Sequence, residues 1–330
     1  MGRRILSVSG LLFVAVLLTA LIPLWLPVAG LADLVRGRRR LPTARLLAFG
    51  VLWAWIETSG VAVTGWLWLT RRSGDRPAHY ALQRWWARRL MSALRLTCGI
   101  SVVVENPEAL RPGPVLLFSR HASLADSLVS AYVTTSVVGL DPRYVLKKEL
   151  RVDPCLDIVG DRLPNHFLDR GTNDSGPELA ALEELVGDLG PTGVGVIFPE
   201  GTRANPSKRA TALDKVGRND PVRAARLAPM RHLLPPRPSG AAAMVRGNAM
   251  ADVAVAWHVG FEGLDTFGGI LGALARPMPP VRFVIRRIAR SDVPPADEGN
   301  MAVFTEWLDR EWLRLDAEVD AALTERSAHG

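Results

Sequence analysis

The chain begins with two long apolar stretches. Ile5–Ala32 is a run of 28 residues without a charge, and Leu46–Thr70 is interrupted only by Glu57. Each is long enough to cross the hydrocarbon core of a bilayer, which takes about 20 residues. A signal peptide is the competing interpretation of the first stretch, but its apolar core would be about half as long. The pattern predicts a membrane anchor of two helices over residues 1–75 and a second domain over residues 76–330. A kink in the first helix is predicted at Pro23 and Pro27.

Arginine clusters flank these stretches and bear on their orientation. Arg3 and Arg4 precede the first stretch, Arg36–Arg40 separates the two, and Arg71 and Arg72 follow the second. Arginines close to the ends of membrane helices favour the cytoplasmic side. A shallow hairpin that enters and leaves on one face places all three clusters on that side, whereas two full spans would place Arg36–Arg40 outside. We favour the hairpin, and full spans remain the alternative.

The next segment has the pattern of an amphipathic helix. Within Tyr80–Leu96, the apolar residues fall on one side of a helix and the arginines reach the other. Such a helix is typical of a membrane surface, where arginines extend towards the headgroups. The alternative is a helix that faces a protein core and leaves its basic side in water. The apolar side comprises Leu82, Trp85, Trp86, Leu90 and Leu94.

Beyond residue 96, short apolar runs alternate with amphipathic segments. This pattern predicts an α/β domain with a mixed sheet flanked by helices, attached to the N-terminal membrane-embedded hairpin. Functional loops in such sheets lie at the carboxyl ends of the strands. The polar, basic segment Ala204–Pro238 is either a solvated surface or a functional segment that forms a lid or faces the lipid headgroups. The predicted strands are 100–105, 115–118, 143–146, 193–198, 253–258 and 281–287, and the predicted helices are 126–134, 177–189 and 302–323.

Charge and cysteine content narrow the range of partners. The net charge of +7 favours anionic partners such as phospholipid headgroups or the phosphates of coenzyme A. No zinc-finger spacing, recognition-helix pattern or RNA-binding signature is visible, so a nucleic-acid partner is not expected. The two cysteines, Cys98 and Cys155, have no metal-ligand spacing and are predicted to be buried reduced thiols.

A histidine and an aspartate lie five residues apart directly after the predicted strand 115–118. They are His121 and Asp126 of Arg120-His-Ala-Ser-Leu-Ala-Asp126. An imidazole with a neighbouring carboxylate is a base with a group that can orient it. The spacing alone is weakly specific, and a polar helix cap is the alternative interpretation.

The second motif, Phe198-Pro-Glu-Gly-Thr-Arg203, closes the predicted strand 193–198. It combines a tight turn, backbone N–H groups and a guanidinium, which together suit a phosphate. Gly201 removes a side chain where a phosphate must approach, and Arg203 offers a bidentate fork. Glu200 is predicted to orient Arg203 or an acceptor hydroxyl, and Thr202 completes the set. Chance occurrence of this string together with the first motif, in this order, is negligible.

The two motifs together resemble the glycerolipid acyltransferase family, typified by 1-acyl-glycerol-3-phosphate acyltransferase, and in particular its lysocardiolipin-type branch. The similarity covers about residues 95–325. Two positions depart from the family: Arg120 stands where Asn is usual, and Ser127 stands where a large apolar residue is frequent. Further blocks that resemble the family are Lys147-Lys-Glu-Leu150, Phe167-Leu-Asp-Arg170, His232–Gly240, Ala251–Ala256 and Trp307–Trp312.

The resemblance implies a membrane-bound enzyme that moves a fatty acyl chain from acyl-CoA or acyl carrier protein to the free hydroxyl of a lysophospholipid. The expected acceptor is 1-acyl-glycerol-3-phosphate, which gives phosphatidate. His121 and Asp126 would be catalytic, and transfer would be direct. Arg120 would either keep His121 neutral or read an extra phosphate. The predicted substrate-binding residues are Arg120, Lys147, Lys148, Arg170, Glu200, Gly201, Thr202 and Arg203.

The partners follow from the same resemblance, whereas the location follows from the arginine clusters and from the arginine and alanine bias of the composition. We expect no metal and no cofactor apart from the acyl-carrying co-substrate. The expected location is the cytoplasmic membrane of a bacterium, with the catalytic domain on the cytoplasmic face. Another lysophospholipid or a glycolipid precursor is the alternative acceptor.

Three other classes of protein remain as alternatives. A serine hydrolase could use Ser119, Ser123 or Ser127, but the chain has no G-x-S-x-G elbow. A metal-dependent phosphohydrolase would need a set of metal ligands, but the chain has no H-E-x-x-H motif and no clustered histidines and aspartates. A non-catalytic scaffold would not need the histidine–aspartate pair.

Overall fold

One mixed sheet of seven strands lies at the centre of the computed structural model, which describes residues 2–168, 176–264 and 266–328. The strand order is β1-β7-β6-β2-β5-β3-β4, and all neighbours are parallel except β6 and β7. The predicted mixed sheet is therefore confirmed. The strands are β1 Val102–Glu105, β2 Val115–Ser119, β3 Asp141–Lys147, β4 His166–Leu168, β5 Gly193–Ile197, β6 Asp252–Val259 and β7 Val281–Ile288.

Helices cover both faces of the sheet. One core joins β2, β5 and β6 to helices α7, α10 and α12, and a second core joins the other face to α4, α5 and α11. The central strands β2 and β5 are buried along their whole length, which is why they read as continuous apolar runs. The helices are α1 Gly2–Ala20, α2 Ile22–Val35, α3 Pro42–Leu69, α4 Arg76–Ala93, α5 Asp126–Ala131, α6 Pro154–Arg162, α7 Gly176–Gly187, α8 Pro206–Asn219, α9 Pro221–Leu227, α10 Pro238–Gly247, α11 Phe267–Leu274 and α12 Met301–Ala328.

The first apolar stretch forms two helices, where the sequence predicted one kinked helix. The chain turns at Leu21, and Pro23 lies in the first turn of α2. Proline has no N–H to donate to Thr19, four residues earlier, so a continuous helix would lose this bond. Pro27 remains inside α2. By length and composition, α1 and α3 are long and apolar enough to cross a membrane.

Helix α3 lies along the globular part of the protein and contacts it near both ends. Close to its start, Arg45 Nε donates to the Thr97 carbonyl at 2.6 Å. Close to its end, the Thr64 carbonyl accepts from Arg162 Nη1 at 2.9 Å. The axis of α3 therefore runs parallel to the surface of the domain.

The single charge in the second apolar stretch faces protein. Glu57 is fully buried and accepts a hydrogen bond from the Trp86 indole N–H at 2.6 Å. Helix α1 packs on the same helix through Leu11 and Ala15, which contact Ala54. The start of α1 is tied to α6, because Arg3 and Arg4 both pair with Asp157, at 2.8 and 2.7 Å.

The apolar side of α4 faces protein, which corrects the prediction that it faces a membrane. Leu82 and Leu90 are buried, and Trp85 and Trp86 pack against buried clusters of the domain. Helical periodicity identifies an apolar face but not what covers it. The basic side of α4 remains exposed.

The basic segment between β5 and α10 folds into the two helices α8 and α9. No residue of α8 is buried, although Leu213 packs against the edge of a core. Helix α9 is anchored to α12, because Arg223 binds the buried carboxylate of Asp309 at 2.8 Å. The segment thus forms two helices on the surface, of which α9 is held to α12 by this ion pair.

Candidate active site

His121 and Asp126 meet at the carboxyl end of the central strand β2. His121 Nδ1 lies 2.8 Å from Asp126 Oδ2. The two residues do not share a helix: His121 lies in the loop after β2, and Asp126 is the first residue of α5. Since Nδ1 is the nitrogen that faces the carboxylate, the lone pair of Nε2 is available on the other side of the ring.

Asp126 folds the loop that carries His121. Its carboxylate accepts the backbone N–H groups of Ala122 at 2.6 Å and Ser123 at 2.9 Å, and also the Ser123 hydroxyl. Burial acts to raise the pKa of the Asp126 carboxyl, but His258 and His121 outweigh burial and hold this pKa well below its usual range. The carboxylate is therefore charged and fixed in place, so it orients the imidazole and can stabilise its protonated form.

The second motif lies beside this pair and is bonded to it. Glu200 Oε1 accepts the His121 backbone N–H at 2.8 Å, and its Oε2 accepts the Leu234 N–H at 2.9 Å. Ala204 N–H donates to the His121 carbonyl at 2.7 Å. Burial raises the pKa of Glu200 to about 8, against the two backbone bonds that lower it. Glu200 thus joins three segments of backbone and does not orient Arg203.

Gly201 makes the turn that places Arg203. Its φ of +72° lies in the left-handed region, and a Cβ there would come within 3.1 Å of the Arg237 Nε atom. Its N–H closes the turn on the Phe198 carbonyl at 2.9 Å. A side chain at this position would be strained and would crowd the guanidinium of Arg237.

A cavity of 540 Å³ opens in front of His121. Of the predicted residues, His121, Lys147, Gly201 and Arg203 line it. The Arg203 Nη1 atom is buried and has no hydrogen-bond partner within the described part of the chain. The remaining wall is largely apolar and includes Leu124, Val145, Leu146, Leu150, Leu168, Leu179, Leu182, Ile197 and Phe198.

A second cavity of 180 Å³ shares part of this wall. Leu124, Ser127, Leu146 and Leu150 line both cavities. The second cavity continues between α4, α5 and α6, where its lining is mainly apolar. The arrangement thus combines a base, a cationic rim and a long apolar space.

Four other predicted substrate-binding residues, Arg120 among them, lie outside the lining of the main cavity, and a fifth is not among the described residues. The Glu200 carboxylate accepts backbone N–H groups, and Thr202 Oγ1 accepts from Lys208 Nζ at 3.3 Å. Lys148 is exposed directly after β3. Arg170 lies outside the described residues. Within the described residues, Glu200 makes no hydrogen bond to Arg203, because its two oxygens face the backbone N–H groups of His121 and Leu234; its predicted contact with an acceptor hydroxyl stays a prediction.

Arg120 points away from the cavity, which corrects the prediction that it reads a phosphate. Its side chain is 5% exposed, its Nη1 donates to the His258 carbonyl, and the same atom lies 3.8 Å from Glu262 Oε1. The backbone N–H of Arg120 donates to the Ala256 carbonyl at 2.9 Å, which extends the pairing of β2 with β6. Arg120 therefore braces the end of β6.

Sequence reasoning missed two residues at this site. Arg237 lines the cavity beside Gly201, and the signal for it was its position within the His232–Gly240 block. His258 lies near the end of β6, where its Nε2 is 3.1 Å from Asp126 Oδ1. The signal for it was a histidine at the carboxyl end of a predicted strand.

The geometry agrees with comparisons to known proteins. A model of the Acyltransferase family matches residues 101–257, which span both motifs and most of the sheet. The matched residues identify an acyltransferase domain within this chain. Among curated protein sequences, none matches the acyltransferase significantly.

A solved structure shares the fold of this acyltransferase. The 1-acyl-sn-glycerophosphate (LPA) acyltransferase PlsC from Thermotoga maritima is 18% identical, with a TM-score of 0.52. The match covers 85% of this chain and 98% of that one. The predicted acyltransferase domain is thus confirmed by the family match, and the predicted α/β fold by the solved structure.

Proposed function

We propose that this acyltransferase moves a fatty acyl chain from a thioester donor to the free hydroxyl of a lysophospholipid. The proposed acceptor is 1-acyl-glycerol-3-phosphate and the product is phosphatidate. The observation that carries the proposal is one cavity lined by both the oriented base His121 and Arg203, whose buried Nη1 has no hydrogen-bond partner within the described residues. The Thermotoga maritima protein with this fold is a 1-acyl-sn-glycerophosphate acyltransferase, which supports the same acceptor.

The proposed chemistry uses His121 as a general base. Its Nε2 takes the proton of the acceptor hydroxyl, while the hydroxyl oxygen forms a bond to the thioester carbonyl carbon. Asp126 stabilises the imidazolium that results. The tetrahedral intermediate then breaks its carbon–sulfur bond, and the leaving thiolate receives the proton from His121. No acyl-enzyme is needed, because the thioester is already activated.

The cationic rim of the cavity suits the phosphate of the acceptor. Arg203 offers an N–H that has no partner within the described residues, and Arg237 and Lys147 line the same space. Arg203 can bind a phosphate through two parallel hydrogen bonds, whereas a lysine acts as a point charge. The turn at Gly201 lets the phosphate approach the backbone. We assign phosphate binding to these four residues.

The apolar wall suits the acyl chains. It begins beside His121 and continues into the second cavity, whose lining includes Leu156 and Val159 of α6. A hydrocarbon chain placed here leaves water, with a gain of about 0.8 kcal/mol for each buried CH₂ group. The thioester carbon of a donor that lies in this space would be held next to the base.

The serine-hydrolase alternative lacks support from the geometry. Ser119 and Ser123 are buried, and their hydroxyls donate to the Arg120 carbonyl and to Asp126. Ser127 lines the cavity, but within the described part of the chain no serine hydroxyl is hydrogen-bonded to His121. Direct transfer therefore needs fewer rearrangements.

A panel of acceptors tests the proposed function. Purified protein is given labelled palmitoyl-CoA, or palmitoyl-acyl carrier protein, with one acceptor at a time. We expect the highest kcat/KM with 1-acyl-glycerol-3-phosphate and a lower value with monoacylglycerol, because the latter has no phosphate for Arg203. The matched comparison is lysophosphatidylcholine, whose phosphate carries a choline. Equal rates with monoacylglycerol and 1-acyl-glycerol-3-phosphate would contradict the proposed acceptor.

We also propose that residues 1–75 anchor the catalytic domain, residues 76–330, to one face of a membrane. The outer sides of α1–α3 expose large apolar residues, including Phe13, Leu24 and Trp66. Because α3 contacts the globular part at both ends, a hairpin in one face fits this packing better than two full spans. The proposed location is the cytoplasmic face of the bacterial cytoplasmic membrane.

Cysteine labelling tests the hairpin. Cys98 and Cys155 are buried, so a cysteine introduced in the Arg36–Arg40 loop can be labelled selectively. We expect Arg39→Cys to react with a membrane-impermeant maleimide only after the cells are permeabilised, because the adjoining start of α3 lies against the catalytic domain. Arg218→Cys, on the exposed side of α8, is the matched control. Strong labelling of Arg39→Cys in intact cells would exclude the hairpin.

A further inference from the structure

A second histidine contacts Asp126 on the side opposite His121. His258 Nε2 lies 3.1 Å from Asp126 Oδ1, whereas His121 Nδ1 lies 2.8 Å from Asp126 Oδ2. The two imidazoles therefore flank one carboxylate, and each faces a different oxygen. The side chains of His258 and Asp126 are both 1% exposed, so the contact is shielded from water.

The sheet brings His258 to this position. Ser119, the last residue of β2, pairs with Ala256 of β6, so β6 continues past the end of β2. His258 is the next residue but one after Ala256 and reaches the loop that follows β2. Its cross-strand partner in β7 is Phe283.

The imidazole of His258 is held from several sides. Phe283 stacks on it with an interplanar angle of 13°, and Phe261 meets it edge-on with ring centroids 5.5 Å apart. The His258 carbonyl accepts from the buried guanidinium of Arg120. The two aromatic rings leave the imidazole little freedom, and Arg120 fixes the backbone beneath it.

His258 has few other partners. Neither ring nitrogen meets the directional criteria of a hydrogen bond with any described residue, although Nε2 lies within ion-pair distance of Asp126. The contact with Oδ1 is thus electrostatic, and the Ser123 hydroxyl shares the same oxygen. A histidine used only for packing would not need to direct a nitrogen towards a buried carboxylate.

We propose that His258 is a positioning residue that holds the far oxygen of Asp126 and moderates how strongly this carboxylate attracts a proton to His121. The proposal rests on the proposed roles of His121 and Asp126. In this proposal His258 Nε2 carries a proton, which offsets part of the negative charge of the carboxylate. His121 is then oriented by Asp126 and yet remains neutral, which is the form that can accept the proton of the acceptor.

The sign of the expected pH effect follows from Coulomb attraction. Without the imidazole at Oδ1, the charge of Asp126 is less neutralised and favours protonated His121 more strongly. Protonated His121 cannot act as a base, so activity should be lost at a higher pH when the solution is acidified. The acid limb of the pH–rate profile should therefore move to higher pH.

Other titratable or charged groups surround the three residues and stay unchanged in the test. Glu200 contacts the His121 backbone, and Arg120 lies behind His258 with Glu262 beside it. On the cavity side, the lining contributes Lys147, Glu178, Arg203 and Arg237. Since all of them are retained, a shift reports the removed imidazole.

The test compares His258→Leu with His258→Gln in the full chain. Leucine removes the N–H, whereas the glutamine amide can donate to Oδ1. With palmitoyl-CoA and 1-acyl-glycerol-3-phosphate as substrates, we expect His258→Leu to lower kcat about tenfold and to change both KM values less than about twofold. The acid limb of its pH–rate profile should lie at a higher pH than that of the wild-type protein. His258→Gln should recover most of kcat and the original limb. If the leucine variant fails to fold, His258→Phe replaces it, since a phenyl ring suits the aromatic contacts.

A second measurement does not depend on turnover. Diethyl pyrocarbonate modifies neutral imidazoles, and peptide mass spectrometry reads the pH midpoint of modification at His121, whose ring is 14% exposed. The midpoint should rise in His258→Leu and stay near that of the unchanged protein in His258→Gln. Equal midpoints in the three proteins, or equal kinetics of the Leu and Gln variants, would overturn the proposal. If the wild-type protein transfers no acyl chain, the proposed function is contradicted. The pH midpoints of His121 modification would still test the role of His258.

Discussion

Replacing His121 with alanine should reduce acyl transfer by about 10²–10⁴-fold, the usual contribution of a positioned general base. The thioester still carries its own activation, so a slow residual reaction is expected. The change should leave the fold intact, because Glu200 binds the backbone N–H of residue 121 and not its side chain. Initial rates with labelled palmitoyl-CoA and 1-acyl-glycerol-3-phosphate measure the loss.

His232→Ala is the matched control for this variant. The His232 ring pairs with Asp320 at 2.8 Å near the end of α12, and it does not line the cavity. This control should retain nearly full activity, and both variants should unfold close to the temperature of the unchanged protein. An alanine variant of His121 with most of its activity would remove the proposed base.

The sequence predicted the central part of the fold because the signal there is local. Continuous apolar runs such as Val115–Ser119 and Gly193–Ile197 are buried on both faces, and the motifs follow them directly. Their functional loops lie at the carboxyl ends of neighbouring strands, as open sheets require. The proximity of the two motifs was therefore predictable without any long-range contact.

The positions of Arg120 and Glu200 could not be predicted in the same way. Both belong to motifs that suggest chemistry, but their partners are distant in the sequence: Arg120 contacts His258, and Glu200 accepts the Leu234 N–H. A charged residue in a motif can serve the substrate or the backbone that carries the motif. Only the fold decides between these two uses.

The N-terminal part shows a different limit of sequence reasoning. Apolar composition predicted helices in Ile5–Ala32 and Leu46–Thr70, and α1–α3 are present. It gave no sign that Glu57 would be buried against Trp86 or that α3 would lie along the globular part. An apolar face has the same pattern whether protein or lipid covers it.

Replacing Arg203 with alanine should raise the KM for 1-acyl-glycerol-3-phosphate by about 10- to 100-fold. Hydrogen bonds to a charged group contribute about 1.5–3 kcal/mol, and each 1.4 kcal/mol is a factor of about ten. Arg203 lines the cavity, and its Nη1 makes no hydrogen bond within the described ranges, so a bound phosphate would not have to displace a protein partner of this atom. The kcat and the KM for palmitoyl-CoA should change little.

Two further variants separate geometry from charge in this prediction. Arg203→Lys keeps the charge but loses the bidentate fork, so it should restore only part of the acceptor affinity. Arg218→Ala removes one arginine whose side chain is 74% exposed on α8, and it should leave both KM values unchanged. Monoacylglycerol should be used equally well by the unchanged protein and by Arg203→Ala, since it has no phosphate to lose. If the alanine variant instead raises the KM for palmitoyl-CoA alone, Arg203 binds the phosphates of the donor and the assignment to the acceptor is wrong.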